Sequence, residues 1–576
     1  MTSTKWESRG VWILFLVLWG YLILRAIFIF FVHDEIVTMW SYMIEWNPIP
    51  YHGYEDANNH FLNSFLGGLF MRLFHSDSLF VVRLANVLAF PIYFWSVNAL
   101  RNYFKSRLAF YGLFTTLLFS PFLIEYFGLA RGYGLSLAFL VLALLQMMRY
   151  FDHQKASALI GIVFAWLLAV YSNLTLLPFA FLAIVYLLLF QFIHKKYKGM
   201  VLPILAFLPL LYLLKYTFHL KEMGKLYYGK ASNFIETTVH SLTYYLWHTE
   251  NYYLDGLLIA LFVLIVSVVM VRLVREKNLF APTNVFSLFL VASIVAIFAQ
   301  NWLLEVNFPE DRTGLYLVVF FFGGLFFTFD YLRFPWASYP IILTTVLFFA
   351  GNANLTHSMF WKAEHFDSQL LTKIPEDVMG IPPSTSGRWT MEHELSRRLG
   401  LPMRIFQNAD LANDTLSDYV LSNLERRPGL SKSYHVLHED PISHQTLFER
   451  NVFLKRVKSF EENIPFNGND EFMAVCTTGF KKPVFVVVEG VVNGLSRQED
   501  GTLVFSSEDT VAHEHYAYQG ISLVQNARLK NGRVNFKVTY AMNKDENANK
   551  LSVYLWNSKR IKLEGKLKVE IFEILP

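Results

Sequence analysis

The sequence has one cysteine, Cys476, in 576 residues. A single thiol excludes an internal disulfide framework and the thiolate metal sites that need several cysteines. An excess of charge of one sign is also lacking. The formal net charge of +4 is close to neutral for this length, so the composition offers no basic surface for nucleic acid. The glycine signatures of P-loop and dinucleotide-binding folds are missing, which removes nucleotide sites of those kinds. Few charges fall in the middle of the apolar runs, so no proton or ion relay through a membrane is evident. There is no internal repeat and no low-complexity segment. The lack of an inverted repeat of broken helices weakens a transporter reading.

What is there is apolar. Hydrophobic residues make up 54% of the chain and aromatics 17%, with 55 phenylalanines, and the mean hydropathy is +0.33. The average hides a division. Long apolar runs dominate up to about residue 355, and from about 357 the composition is that of a soluble region. A helix needs about 20 apolar residues to cross a bilayer. The pattern predicts eleven spans, at 11–32, 79–100, 108–126, 130–150, 156–172, 174–193, 200–218, 254–273, 284–302, 313–332 and 337–354. The first run is too long for a signal peptide and has no small-residue cleavage site, so it is expected to remain as a span. With the N-terminus inside, the loops 101–107, 150–156, 194–199, 272–280 and 331–336 hold most of the loop Lys and Arg, the positive-inside pattern. Loop 219–253, with Lys221, Lys225 and Lys230, is the exception. An odd number of spans puts the C-terminal region outside.

The first outer loop, 33–78, has its own pattern. Ile36, Val37, Trp40, Met43, Ile44 and Asn47 recur near helical spacing and predict an amphipathic helix in the membrane interface. A second helix is expected over 59–74. Beyond 357, a helical pattern at 390–399 and a short apolar strand at 418–421 predict a small α/β region over 357–480. Runs rich in β-branched and aromatic residues at 484–488, 503–505, 534–538 and 551–555 predict a β-sandwich over 481–576. The expected architecture is therefore a polytopic α-helical membrane domain, 1–356, followed by two extracytoplasmic regions.

Residues that can carry chemistry gather at the outer ends of the spans. Asp34 and Glu35 follow the first span directly. An ionised carboxylate does not help a helix cross hydrocarbon. One reading makes Asp34 a general base for an acceptor hydroxyl; the other has both acids capping the interfacial helix. Arg131 opens the fourth span within Ala130-Arg131-Gly132-Tyr133, Arg312 opens the tenth, and Arg25 lies in the first. A guanidinium fork suits phosphate, while snorkelling to headgroups is the alternative. His60, after Asn58 and Asn59, is read as a substrate ligand or a structural hydrogen-bonder. A cation held by His60 with Glu305, Glu310 and Asp311 stays open, although no spacing is diagnostic of a metal.

The order of these elements resembles the glycosyltransferase C superfamily, and within it the protein O-mannosyltransferase and aminoarabinose-transferase branch. The resemblance rests on Asp34-Glu35 after the first span, Asn59-His60-Phe61-Leu62 in the same loop, the stretch from Ser78 to Arg83-Leu84, Ala130 to Tyr133, and Pro309 to Arg312. It covers roughly 10–355. Phe61-Leu62 stand where the family often has a proline pair. The resemblance implies an inverting sugar transfer from a polyprenyl-phosphate donor to a hydroxyl on a lipid, glycan or protein acceptor at the outer face of the cytoplasmic membrane. It implies Asp34 as general base, with Glu35 beside it, and Arg131 and Arg312 at the leaving phosphate. Asn59, His60, Tyr133 and Arg25 are the further candidates for substrate contact. No cofactor is required by this scheme; a divalent cation is left open. Rival readings are a polymerase or ligase using a diphosphate-linked glycan, a lipid or glycan transporter, and an anchored assembly protein.

Overall fold

The structure is a computed structural model. It describes residues 5–375 apart from 45 and 232, and residues 385–573 apart from 388, 399–416, 423–433, 452–458, 496–500, 513, 524–528, 531 and 543–546. The chain divides into two compact units. The first comprises Met1–Ile29 and Trp46–Phe360; the second comprises Phe30–Glu45 and Trp361–Pro576.

The first unit is helical. Among the described residues, eight helices are long and apolar enough to cross a membrane: Glu7–Phe28, Leu79–Tyr103, Tyr133–His153, Leu174–Ile193, Tyr197–Glu222, Tyr252–Glu276, Pro282–Leu304 and Asp311–Tyr331. The chain is thus a multi-pass membrane protein. The expected eleven is not reached, for two physical reasons. Two of the expected spans form short helices, Ala156–Ser172 with 17 residues and Ser338–Asn352 with 15. The expected span at 108–126 is broken after Phe119, where Pro121 has no N–H to continue the ladder, and the two pieces are bent by 52°. Counting that pair as one span gives nine.

Tyr133–His153 and Asp311–Tyr331 are buried over most of their length and form the centre of the unit. Polar groups set among apolar helices need partners, and Arg83 and Asp330 find theirs in the backbone. Fully buried Arg83 donates through Nη1 to the Ile29 and Ala26 carbonyls at 2.6 and 3.3 Å, groups that the end of helix Lys5–Phe28 leaves unpaired. Asp330 accepts the N–H groups of Lys105 and Ser106 at 3.0 and 2.7 Å, which fixes the turn into Arg107–Phe119.

The second unit opens with the short helix His33–Thr38, continued by a wider turn over Met39–Ile44. The expected helix is there, but Ile36, Met39, Tyr42 and Met43 are buried, and Trp40 meets the rings of Trp389 and His393 at 5.4 and 5.7 Å. Spacing alone cannot distinguish an apolar face covered by protein from one covered by lipid.

Three sheets follow among the described residues. Thr385–Ser386 (β1), Tyr419–Ser422 (β2), Tyr434–Glu439 (β3) and Thr446–Arg450 (β4) form a sheet in the order β1-β2-β4-β3. The remaining strands are Ser459–Gly468 (β5), Phe472–Gly479 (β6), Val484–Asn493 (β7), Thr502–Asp509 (β8), Glu514–Ser522 (β9), Leu529–Lys530 (β10), Arg533–Met542 (β11), Lys550–Trp556 (β12) and Leu563–Glu573 (β13). They build two antiparallel sheets, β10-β11-β7-β13-β5 and β6-β12-β8-β9. These sheets share one core, with Val486, Val488, Phe536 and Val569 from the first and Leu503, Phe505, Val553 and Leu555 from the second. Along β12 the buried side chains alternate, as a pleated strand with one covered face requires. Cys476 is buried in this core.

In the loop between β3 and β4, buried Asp440 is held from several sides. His365 Nδ1 lies 2.7 Å from Oδ2, and the N–H groups of Ile442 and Ser443 reach Oδ1 at 2.8 and 3.1 Å. Burial raises this carboxyl, but the His365 hydrogen bond and the two N–H groups outweigh it and bring it from 3.8 down to about 2. A depressed carboxyl adds stability above its unfolded value, and that stability is lost as pH falls through the folded value. The second unit is therefore expected to lose stability between about pH 4 and pH 2, and Asp440→Asn to flatten that part of the curve. Denaturant unfolding followed by tryptophan emission across this range checks it.

Candidate active site

Arg131 sits in the turn that opens helix Tyr133–His153, and a chain of asparagines shapes that turn. Asn63 Nδ2 donates to the Ala130 carbonyl at 3.0 Å, Asn86 Nδ2 donates to Asn63 Oδ1 at 2.7 Å, and Asn86 Oδ1 accepts the Leu135 N–H at 3.1 Å. Asn63 and Asn86 are fully buried. Asn86 thus meets one of the donors that the first turn of a helix leaves unsatisfied.

With the turn fixed, Arg131 is only 1% exposed. Its Nη2 donates to Asn58 Oδ1, and its guanidinium carbon lies 5.8 Å from the Tyr133 ring centre. Asn58 is oriented in turn by its own N–H, which donates to Asp56 Oδ1 at 2.8 Å.

His60 ends the same loop and begins helix Phe61–Phe74. Its Nδ1 lies 2.7 Å from the Ser172 carbonyl oxygen. A carbonyl can only accept, so Nδ1 carries the proton. The ring meets Tyr133 edge-on at 4.8 Å. Gly132 passes between them: a Cβ there would overlap the Ser172 carbonyl and the base of the His60 ring. Asn59 bonds within the protein, through Nδ2 to the Pro48 carbonyl at 3.2 Å and through Oδ1 to the Ser64 hydroxyl at 3.0 Å.

The late loop adds a second arginine. Asp311 has a left-handed backbone, φ 41°, and its N–H donates to Ser241 Oγ at 3.0 Å. The Tyr228 hydroxyl donates to Asp311 Oδ2, and the Arg312 guanidinium lies 4.8 Å from the Tyr228 ring centre. Burial pushes the Tyr228 phenol well above its ordinary range; Arg312 opposes that shift and Asp311 adds to it. Tyr126 links the two arginines. Its ring is 5.0 Å from that of Tyr133, and it lies within electrostatic reach of Asp311 and Arg312. The fold therefore brings His60, Arg131, Tyr133 and Arg312 into one cluster. A guanidinium fork has the donors to hold an anion with several oxygens, and the Arg312 fork has the Asp311 carboxylate 4.0 Å away.

Arg25 makes a different set of contacts. It pairs with Glu125 at 3.2 Å and donates to the Asn354 carbonyl at 2.8 Å and the His357 carbonyl at 3.4 Å. Glu125 also accepts the Met359 N–H at 3.0 Å and the Ser358 hydroxyl. These bonds tie the first helix to the segment after Ser338–Asn352.

Asp34 and Glu35 fall in the second unit. Asp34 is 8% exposed, and its Oδ1 is 3.8 Å from His33 Nδ1. Glu35 is fully buried and accepts the Val32 N–H through Oε2 at 3.1 Å. Among the described residues, no three His, Cys, Asp or Glu side chains come together as metal ligands.

No protein-family model matches the chain. No curated protein matches it either. In fold, the chain is similar to ArnT from Cupriavidus metallidurans bound to undecaprenyl phosphate, with a TM-score of 0.48 and 11% identity over 77% of this chain and 98% of that one. The apo ArnT structure gives 0.45 and 14% over the same shares. Arabinosyltransferase EmbB from Mycobacterium smegmatis gives 0.40 and 9%, over all of this chain and 65% of its own.

Reading the sequence alone missed Asn63, Asn86, Tyr126 and Tyr228. Asn63 and Asn86 carried a signal, as amides inside apolar helical runs, where an uncompensated polar group is costly. Tyr126 and Tyr228 had none among 30 tyrosines.

Gly132→Ala is expected to destabilise the first unit by about 1–3 kcal/mol through overpacking. Gly256→Ala, at a helical position with open space around it, is expected to be neutral or to stabilise by about 0.5–1 kcal/mol. Thermal midpoints of the two variants in the same detergent give the comparison.

Proposed function

We propose that the protein is an inverting glycosyltransferase that takes a sugar from a polyprenyl-phosphate donor and passes it to a hydroxyl acceptor. The carrying observation is the Arg131 cluster: a nearly fully buried guanidinium, oriented by Asn58 and joined through Tyr133 and Tyr126 to Arg312. A guanidinium fork at the end of apolar helices is suited to the oxygens of a phosphate that lives at the membrane surface. A lipid phosphate has the required charge, oxygens and location.

In this reading Asp34 accepts the proton of the acceptor hydroxyl, and the hydroxyl oxygen attacks the anomeric carbon. The bond from that carbon to the phosphate oxygen breaks with inversion. The lipid phosphate leaves with its electron pair, stabilised by Arg131 and Arg312. His60 and Tyr133 line the donor side. Glu35 acts on the shape of the loop through the Val32 N–H. Arg25 and Asn59 hold the scaffold, as their bonds to protein groups suggest. The N-terminus is cytoplasmic, and the second unit with its Asp34 lies on the outer face of the cytoplasmic membrane, in line with the charge bias of the loops.

The test is transfer by the purified protein in lipid, from synthetic polyprenyl-phosphate hexoses and pentoses to a panel of hydroxyl acceptors. Asp34→Asn keeps the shape and removes the base, and is expected to lower kcat by about 10²–10⁴-fold with donor binding intact. Arg131→Met is expected to lower kcat/KM by about 10²-fold or more. Full activity of Asp34→Asn rules out Asp34 as the base. Wild type inactive with every monophosphate donor, yet active with a diphosphate-linked glycan, favours the polymerase reading.

A further inference from the structure

The segment that bears Asp34 belongs to the second unit, although in sequence it follows the first membrane helix. Its shape is set there by bonds from residues more than 300 positions away. The His33 N–H donates to Glu364 Oε2 at 2.6 Å, and the Phe31 carbonyl accepts from Thr390 Oγ1 at 3.3 Å. The Phe31 ring meets His393 at 5.3 Å.

We infer that Glu364 is the positioning residue for Asp34. The first N–H groups of a helix have no partner within it. Here two of the N–H groups at the start of helix His33–Thr38 are taken by carboxylates: Val32 by Glu35, and His33 by Glu364. A backbone N–H bonded to a carboxylate makes a short, charge-assisted bond, and this one sits a single residue before Asp34. Glu364 is itself firmly based. It ends the turn Lys362–Glu364, and the next residues are clasped to the β3–β4 hairpin by two histidine–aspartate pairs, His365 with Asp440 at 2.7 Å and His438 with Asp367 at 2.9 Å. The carboxylate thus transmits the position of a β-hairpin to the backbone that carries the base. This inference rests on the glycosyl-transfer reading for its kinetic consequence and on the geometry alone for its structural one.

Both are measurable on the full-length protein in nanodiscs. Hydrogen exchange of the peptide spanning 31–40 is the readout that needs no activity. Glu364→Ala is expected to speed exchange there by about 10–100-fold, the loss of one charge-assisted bond. Glu364→Gln keeps an acceptor oxygen and is expected to stay within about tenfold of wild type. Unchanged exchange over 31–40 in Glu364→Ala overturns the inference. Should Glu364→Ala loosen the whole second unit, Glu364→Gln decides: exchange over 31–40 within about tenfold of wild type supports the inference, and exchange there as fast as in Glu364→Ala overturns it. In transfer assays, Glu364→Ala is expected to lower kcat by at least tenfold with the donor KM unchanged, and Glu364→Gln to restore most of it. A rise in KM with kcat unchanged overturns the positioning role. Wild type inactive with every donor removes the proposed function, while the exchange result still decides the structural claim.

Discussion

A guanidinium among apolar helices must have its charge and its donors met, and much of the first unit is arranged around that requirement. Arg83 does so with the last carbonyls of the first helix. Arg25 does so with Glu125 and two carbonyls of the 354–357 segment. Each thereby fastens distant parts of the chain, because removing one partner of a buried charge costs far more than the pair contributes. Arg131 ties the turn before helix Tyr133–His153 to the Asn58 loop. Its Nη2 donates to the Asn58 amide oxygen, and its guanidinium lies against the Tyr133 ring.

The same economy of partners explains what was legible beforehand. Arg131 and Arg312 stood out because a charge at the edge of an apolar run needs a reason, and the fold joins them through Tyr133, Tyr126 and Tyr228. Arg25 had the same signature in sequence and proves to be bonded to Glu125, because spacing says where a charge lies along a helix and not which helix it faces. The helical start at Phe61 after Asn59-His60 was readable from pattern, as were the strand runs from 484 onward. The number of long helices was not: hydropathy does not register that Pro121 bends one run or that Ala156–Ser172 stops at 17 residues.

The pair Asp34-Glu35 shows the limit more sharply. Two adjacent acids look alike in a sequence, yet one is turned to the Val32 N–H and the other lies beside His33. Successive helical residues point about 100° apart, so a neighbouring position is a different environment. Nothing in residues 30–45 announced that their partners would be Glu364, Thr390 and Trp389, since contacts at that separation leave no local periodicity.

The separation between His33 and Glu364 is 331 residues, and it has a consequence for the order of events in the cell. At about 5–20 residues per second of synthesis, the loop with Asp34 exists for roughly 20–60 s before the carboxylate that fixes it has been made. A nascent or prematurely terminated chain therefore carries its membrane helices and its arginine cluster while the loop is still unset. The Asp34 loop can be set only after the chain has been made through Glu364.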